Sequence, residues 1–221
     1  MGQPLRSAYD EKLETILRRS AVVFAEKGYH QATIRDIARA TRVSLSGLYY
    51  YFQSKEELLF LIQDHALEKL VASLERLLDG ETDPRRKLRL LMENHLRFFV
   101  ANMPEMKVLS HEATSLTGDY RDKLIERKRR ITDIASGILA ELRPESDLNR
   151  RVSVFALFGM MNWIYTWYRV GRDVPVEELA ENMSRLFLGG YLQAGDEVSA
   201  GAPHAVPDAF HSSLWRGSIE G

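Results

Sequence analysis

The stretch TIRDIARATRVSLSGLYYYFQSK, residues 33–55, decides the fold of this 221-residue chain. Its apolar residues recur at helical spacing, and Thr33 and Ser44 are residue types that commonly cap the N-terminus of a helix. These features predict two short helices, one from Thr33 through Ala40 and one from Ser44 through about Phe52, joined by a tight turn. In such a motif the first helix crosses the DNA backbone and the second lies in the major groove. The stretch therefore predicts the helix-turn-helix of a transcription regulator.

An apolar seam should join the two short helices and leave the remaining side chains free for DNA. The predicted seam residues are Ile34, Ile37, Ala38, Val43 and Leu48. The residues expected to face the groove are Leu45, Ser46, Gly47 and Tyr50. Gly47 costs the helix roughly 0.8 to 1 kcal/mol relative to Ala, yet the missing side chain would allow a close approach to the bases.

Hydroxyl groups, the backbone amides at helix starts and long donor side chains are suited to bind phosphate oxygens. The residues of the motif that offer such groups are Thr33, Ser44, Tyr49, Tyr50 and Lys55. The next two aromatic residues, Tyr51 and Phe52, are explained at least as well as core residues.

The chain is not basic overall, because its formal net charge is −1. Nucleic-acid binding must then rest on a local excess of positive charge, and in the motif only Asp36 opposes several cations. These cations are Arg35, Arg39, Arg42 and Lys55. Cysteine is absent, which excludes a disulfide framework and a thiolate metal site. The first ten residues lack the apolar core of a signal peptide, so we expect a cytoplasmic protein.

The predicted fold class is all-α, because apolar residues keep helical spacing along most of the chain and no sustained alternating run indicates a sheet. Outside the motif, helices are predicted at 9–26, 55–78, 85–102, 104–116, 119–142, 148–170 and 176–194. We expect a helix-turn-helix DNA-binding domain over 1–55 and a C-terminal helical bundle for ligand binding and dimerisation over 56–195. Residues 196–221 have the composition of a flexible tail.

The run from Val152 to Tyr168 contains no charged residue. Its apolar side chains cover nearly the whole helix circumference, so more than one side of this helix must be buried. A membrane span is disfavoured, because the run is at the short limit for crossing a bilayer and contains several polar residues. We therefore predict that it packs against its own subunit and against a second copy of the chain. The last helix should contribute Leu179, Met183, Leu186, Phe187 and Tyr191 to this packing.

The first 65 or so residues resemble the DNA-binding domain of the tetracycline-repressor (TetR) family. The resemblance rests on Lys27-Gly28-Tyr29, the Thr33 cap, the paired short helices, Leu48-Tyr-x-x-Phe52 and Ser54-Lys-x-x-Leu58. It implies phosphate contacts by Thr33, Arg35, Tyr49, Tyr50 and Lys55, and base contacts by Leu45, Ser46 and Gly47. It also implies a homodimer held by the last two long helices.

One position of the motif departs from the family pattern. Many members carry glycine in the turn, whereas this chain has Thr41-Arg42-Val43. Arg42 must then tolerate the backbone of the turn, which can require a positive φ, and it is itself a candidate phosphate contact.

The C-terminal half resembles TetR members that respond to acyl-coenzyme A thioesters. The pattern includes His111-Glu112, Leu116-Thr117-Gly118, the cationic run Arg127–Arg130 and residues 159–169. An acyl tail needs a long apolar slot and the coenzyme's phosphates need arginines at its mouth. The predicted ligand-binding residues are Phe99, Met103, Met106, Leu109, Leu116, Arg127, Phe155, Phe158, Trp163 and Trp167. Such apolar side chains belong more often to a plain core, and such arginines more often to a solvated helix face.

The leading hypothesis is a homodimeric repressor that a hydrophobic small molecule, with acyl-CoA as the named candidate, releases from a palindromic double-stranded operator. A drug-responsive repressor of the efflux type is the alternative within the family. An enzyme is disfavoured, because the chain lacks a nucleophile turn, a phosphate loop and a metal-binding His-Glu-x-x-His pair. A third class is an interaction protein that no longer binds DNA. We expect no cofactor and no metal, since adjacent His111 and Glu112 point in different directions on a helix.

Overall fold

The computed structural model describes residues 8–112, 114–146 and 148–193, and within these residues all regular structure is helical. The DNA-binding part contains α1 (Ala8–Lys27), α2 (Ile34–Thr41) and α3 (Leu45–Leu48), and it leads into α4 (Lys55–Leu78). The remaining helices are α5 (Pro84–Ala101), α6 (Met103–His111), α7 (Gly118–Leu142), α8 (Arg150–Asn162) and α9 (Val176–Gln193). A 3-10 turn, Trp163–Thr166, follows α8 directly. The all-α prediction is confirmed.

Side-chain caps fix the starts of the three helices that follow α1. The hydroxyl of Thr33 accepts from the backbone N–H of Asp36, that of Ser44 from Gly47, and that of Ser54 from Glu57. Each cap satisfies an N–H group that has no partner within its own helix. The predicted helix starts are confirmed.

Arg42 carries the sharp turn between α2 and α3. Its φ of 58° and ψ of 39° place it in the left-handed region, where it is the one non-glycine residue with positive φ in the described part of the chain. An L-residue pays roughly 1 to 2 kcal/mol for this conformation. The positive φ expected from the missing glycine is thus present.

The predicted second helix of the motif is too long. It was expected to reach about Phe52, but α3 ends at Leu48, and the amides of Tyr51 and Phe52 both donate to the Leu48 carbonyl at 2.9 and 3.2 Å. The turn brings Phe52 into the core, where it is buried. Burial of this ring explains why the chain leaves the helix early.

One continuous apolar core runs through the described residues. Helix α5 lies at its centre and packs against α4, α7, α8 and α9, while α1 packs against α2, α4 and α6. Helix α4 therefore belongs to the packing of both parts, because it touches α1 on one side and α5 and α7 on the other. This arrangement makes α4 the mechanical connector.

The helix predicted over 148–170 is wrong in its second half. Helix α8 ends at Asn162, and the 3-10 turn and loop that follow bring the hydroxyl of Tyr168 to the Val174 carbonyl at 3.0 Å. Tyr168 is buried, so tertiary packing of this ring overrides helical continuity. In the described part of the chain, no helix combines the length and the low polarity that a bilayer span requires. The tail predicted over 196–221 lies outside the described residues.

Candidate DNA-binding surface and effector domain

The residues predicted to contact DNA lie mostly at the surface. The exposed members of the set are Thr33, Arg35, Arg42, Ser44, Leu45, Ser46, Tyr49 and Tyr50. Three of them expose much apolar area, with Leu45 at 41 %, Tyr49 at 52 % and Tyr50 at 73 %. Apolar and aromatic side chains left in water beside arginines form a surface suited to base methyl groups, sugars and phosphates.

Tyr9 supports this surface, and the sequence reasoning missed it. Its ring stacks on Tyr51 at 5.0 Å between centroids and meets Tyr50 edge-on at 5.8 Å. The first turn of α1 thereby holds the residues that follow α3. Because Tyr9 precedes Tyr50 by 41 positions, no local pattern predicts the contact; an aromatic residue at the start of α1 was the available signal.

Gly47 has a structural reason to lack a side chain. A Cβ at this position would lie 2.9 Å from Cγ1 of Val43 and 3.1 Å from Oγ of Ser44. The glycine therefore permits the turn to close against α3. The predicted contact with bases stays a prediction, but the close packing within the motif already accounts for the residue.

Thr33 makes more hydrogen bonds within the protein than the sequence suggests. Its hydroxyl donates to Oδ2 of Asp36 at 2.8 Å, and its backbone N–H donates to the same oxygen at 3.0 Å. Lys27 donates to the other carboxylate oxygen at 2.7 Å. These bonds, that of Lys27 first, lower the pKa of Asp36 far below its usual range. A phosphate contact by the Thr33 hydroxyl would require giving up its bond to Asp36.

Lys55 was predicted to contact phosphate, yet its ammonium group has protein partners. Nζ donates to the carbonyls of Tyr29, His30 and Ala32 at 3.0, 3.3 and 3.1 Å. It also lies 4.5 Å from the centre of the Tyr29 ring. An ammonium group has three protons to donate, and three carbonyls occupy them. In the structure Lys55 holds the turn between α1 and α2, so a phosphate would have to displace a carbonyl.

A second exposed apolar surface lies on α8 and the 3-10 turn. Val152 is 64 % exposed, Phe155 57 % and Trp163 57 %, and Leu186 of α9 is 73 % exposed. Of the other residues predicted for this packing, Leu179, Met183 and Tyr191 are buried within their own subunit. The inner side of α8 is buried as predicted, and burial of the outer side against a second subunit stays a prediction.

The predicted ligand-binding residues divide into two groups. Phe99, Met106, Leu109, Leu116 and Phe158 are buried in the core, and Met103 packs at its edge. Phe155, Trp163 and Trp167 instead lie on the surface, with 46 to 57 % of each side chain exposed. These three side chains are not buried within their own subunit, because a helix that is apolar all round gives no indication of which side faces its own core. Their part in ligand binding stays a prediction.

Arg127 lines a cleft between α4 and α7 with a volume of about 920 Å³. Its guanidinium Nε pairs with Oδ1 of Asp64 at 2.8 Å, and Nη2 of Arg130 pairs with Oε1 of Glu75 at 2.6 Å. The hydrogen bond from Arg127 to Asp64 raises the pKa of Arg127 above its usual value. Both cations are thus tied to the helix that enters the DNA-binding part. The cleft is lined by Phe60, Asp64, Glu75, Lys123, Glu126, Arg127, Arg129, Arg130, Asp133 and Ile134.

Known protein families match both parts of the chain. Residues 16–62 match the family described as bacterial regulatory proteins, tetR family, and residues 81–191 match the Tetracyclin repressor-like C-terminal domain. The chain belongs to the TetR family. The two matches leave the division at residues 55 and 56 as a prediction.

Relatives and solved structures agree with this assignment. A TetR-family regulator from Bordetella parapertussis is 33 % identical, superimposes with a TM-score of 0.77, and the match covers 84 % of this chain and 98 % of that one. The transcriptional repressor KstR2 of Mycolicibacterium smegmatis is 25 % identical, over 83 % of this chain and 93 % of its own. AibR, solved with isovaleryl coenzyme A and operator DNA, is 24 % identical with a TM-score of 0.72, covering 79 and 97 %.

TetR regulators bind operator DNA as dimers. In this TetR regulator α8 and α9 expose apolar side chains that a second subunit would cover, and Leu45, Tyr49 and Tyr50 are exposed around α3. The contact of the α3 region with the groove stays a prediction. We expect two-fold symmetry to present the α3 region of each subunit, the recognition segment, to one of two successive major grooves.

His95 of α5 is one of the buried polar groups whose hydrogen bonding is incomplete in the described part of this TetR regulator. Its Nε2 lies 2.8 Å from Oδ1 of Asn162, at the end of α8, but Nδ1 has no partner among the described residues. Burial lowers the pKa of His95 to about 4. The imidazole is therefore neutral at pH 7, and it packs edge-on against Phe158 at 5.5 Å.

Proposed function

We propose that this TetR regulator is a repressor that leaves its operator when it binds an acyl-coenzyme A thioester. The observation that carries the proposal is the cleft between α4 and α7, where Arg127 and Arg130 of α7 pair with Asp64 and Glu75 of the connector α4. An anion bound here acts directly on α4. Two similar proteins, the repressor KstR2 and AibR in complex with isovaleryl coenzyme A and operator DNA, support the same function.

The two ends of an acyl-coenzyme A need different surroundings. Its phosphates suit arginines, which bind phosphate in a planar, bidentate manner. Its acyl tail needs apolar surface, which Phe60 and Ile134 offer within the cleft. We place the coenzyme at Arg127 and Arg130 and the tail towards the core residues Phe99, Met106 and Phe158.

Binding must favour a subunit arrangement whose recognition segments no longer fit successive grooves. A ligand with equal affinity for both arrangements would shift nothing. Release by about 100-fold requires a differential affinity of about 2.7 kcal/mol, which is within the usual range for allosteric proteins. In the ligand-bound state, phosphate oxygens would replace Asp64 and Glu75 as the partners of the two arginines. Only that state would make these contacts.

The test is release of a fluorescent operator fragment, selected from random DNA by the protein itself. Free fatty acids, acyl-coenzyme A thioesters of several lengths and cationic drugs are titrated against the complex. We expect thioesters at micromolar concentration to release the operator from the wild type. They should release it less effectively from the Arg127→Gln variant. Glu145→Ala, a change at an exposed loop carboxylate, should respond like the wild type.

A drug-responsive repressor of the efflux type is the second candidate, and the acidic side of the cleft favours it. Asp64, Glu75, Glu126 and Asp133 line the same volume and would suit a cation. Release by a cationic drug, with no response to any thioester, would select this candidate. Failure to select any DNA would favour an interaction protein, and hydrolysis of the added thioester would indicate an enzyme.

A further inference from the structure

Glu112 lies where the effector domain meets the DNA-binding part, directly after α6. Its Oε1 accepts from the backbone N–H of Tyr29 at 3.2 Å, and its Oε2 accepts from the Ser115 hydroxyl at 2.6 Å. Its backbone carbonyl accepts from Nε2 of Gln63, in α4, at 3.4 Å. One residue thus touches the turn after α1, the connector α4 and its own loop.

A second carboxylate makes the reciprocal connection. Oε1 of Glu56, in the first turn of α4, accepts from both the backbone N–H and the hydroxyl of Thr117 at 2.8 Å. Thr117 is the residue before α7. Glu112 therefore reaches from the effector domain to the DNA-binding part, and Glu56 reaches in the opposite direction.

The turn that Glu112 holds determines where α2 begins. Lys55 binds the carbonyls of Tyr29, His30 and Ala32 from the other side, and Thr33, the N-cap of α2, follows immediately. The turn is thus fixed on its amide side by Glu112 and on its carbonyl side by Lys55. A displacement of Glu112 would be passed to α2 through this short segment.

The residue before Glu112 faces the region after α8. The His111 ring lies 5.0 Å from the Tyr165 ring, in an edge-on arrangement. Tyr165 belongs to the 3-10 turn that follows α8. Adjacent residues at the end of α6 therefore contact the end of the dimerisation helix and the start of the DNA-binding turn, so a shift of α6 changes both contacts.

We infer that Glu112 is a positioning residue that sets the operator-binding geometry of the helix-turn-helix, and that effector binding acts by breaking its contact with Tyr29. The claim about the effector rests on the proposed function, whereas the claim about operator binding does not. A carboxylate is suited to the task because a charge-assisted hydrogen bond to a backbone amide is strong when made and is lost over a small displacement.

Glu112→Ala tests the inference against a purely structural role. The variant should bind the selected operator about tenfold more weakly without ligand, a typical size for allosteric coupling. Its affinity for palmitoyl-coenzyme A without DNA should equal or exceed that of the wild type, because the variant lacks a contact of the operator-binding state. The further loss of operator affinity caused by saturating palmitoyl-coenzyme A should shrink by the same factor of about ten.

Glu112→Gln keeps an acceptor oxygen for the Tyr29 amide and should recover operator affinity to within about threefold of the wild type. Glu145→Ala serves as the matched control, and light scattering confirms that all variants are dimers. If Glu112→Ala does not fold, Ser115→Ala should give a smaller effect in the same direction.

Wild-type operator affinity in Glu112→Ala would overturn the inference. A parallel loss of operator and palmitoyl-coenzyme A binding would also overturn it, because that pattern marks general damage. If no thioester releases the wild type from DNA, the proposed effector is wrong, and the operator arm of the experiment still decides the role of Glu112.

Discussion

Two segments of this molecule leave aromatic side chains in water, and their surroundings differ. Around α3, Tyr49 and Tyr50 stand close in sequence to the exposed arginines Arg35 and Arg42. Along α8 and the 3-10 turn, Phe155 and Trp163 belong to a run without any charged residue.

The difference indicates what each surface meets. A phosphate backbone requires positive charge beside the groups that reach the bases, because counterion release supplies much of the affinity. A subunit interface is depleted of charge at its centre and gains its free energy from buried apolar area. Exposed aromatic residues by themselves therefore do not identify a partner, whereas the charge around them does.

The largest effect should come from the apolar surface on α8 and the 3-10 turn. Gly159 is exposed on α8 and a side chain there would have open space within its own subunit, so Gly159→Arg places a charge in the dimer interface without damage to the fold. We expect monomers in light scattering and a loss of operator affinity of about a thousandfold, since a dimer binds two half-sites at once. Gly137→Arg, at an equally open exposed glycine of α7, is the control and should remain a dimer.

The next effect concerns the inner side of the same helix, where His95 meets Asn162. The folded protein holds the pKa of His95 at about 4, whereas an unfolded histidine titrates near 6.5. Between these pH values the unfolded chain binds a proton that the folded chain does not. Stability from this group is thus complete above about pH 6.5 and is lost as the pH falls towards 4, by roughly 3 kcal/mol in total.

Urea unfolding at fixed protein concentration, at pH 7 and pH 4.5, measures this loss. His95→Leu should remove that part of the pH dependence while other groups still titrate. An identical pH dependence in the variant and the wild type would show that His95 is not held neutral.

The smallest effect belongs to the charged surface. Arg42→Gly removes a cation and also relieves the left-handed conformation at φ 58°, so we expect stability to be unchanged or to rise by up to about 1 kcal/mol. Operator affinity should fall similarly for all sequences, and the slope of log affinity against log salt should decrease by about one per half-site. Arg42→Asn, which tolerates the same backbone region, should give the same slope. An unchanged slope would remove Arg42 from the phosphate contacts.

The local features of this protein were accessible from the sequence. Helix starts at Thr33, Ser44 and Ser54 depend on a hydroxyl and an amide three residues apart, and the strained turn at Arg42 depends on the absence of a glycine. The all-α class and the apolar character of α8 follow from spacing alone, because helical periodicity needs no knowledge of distant residues.

Contacts between distant parts were decided only by the tertiary structure. The hydrogen bonds of Lys55 to three carbonyls, the support of Tyr51 by Tyr9 and the bond from Tyr29 to Glu112 join residues 23 to 83 positions apart in the chain. The end of α8 at Asn162 and the outward direction of Phe155, Trp163 and Trp167 have the same origin. Sequence periodicity reports how much apolar surface a helix must bury, but the neighbour that covers each side is chosen by packing of the whole chain and of its second copy.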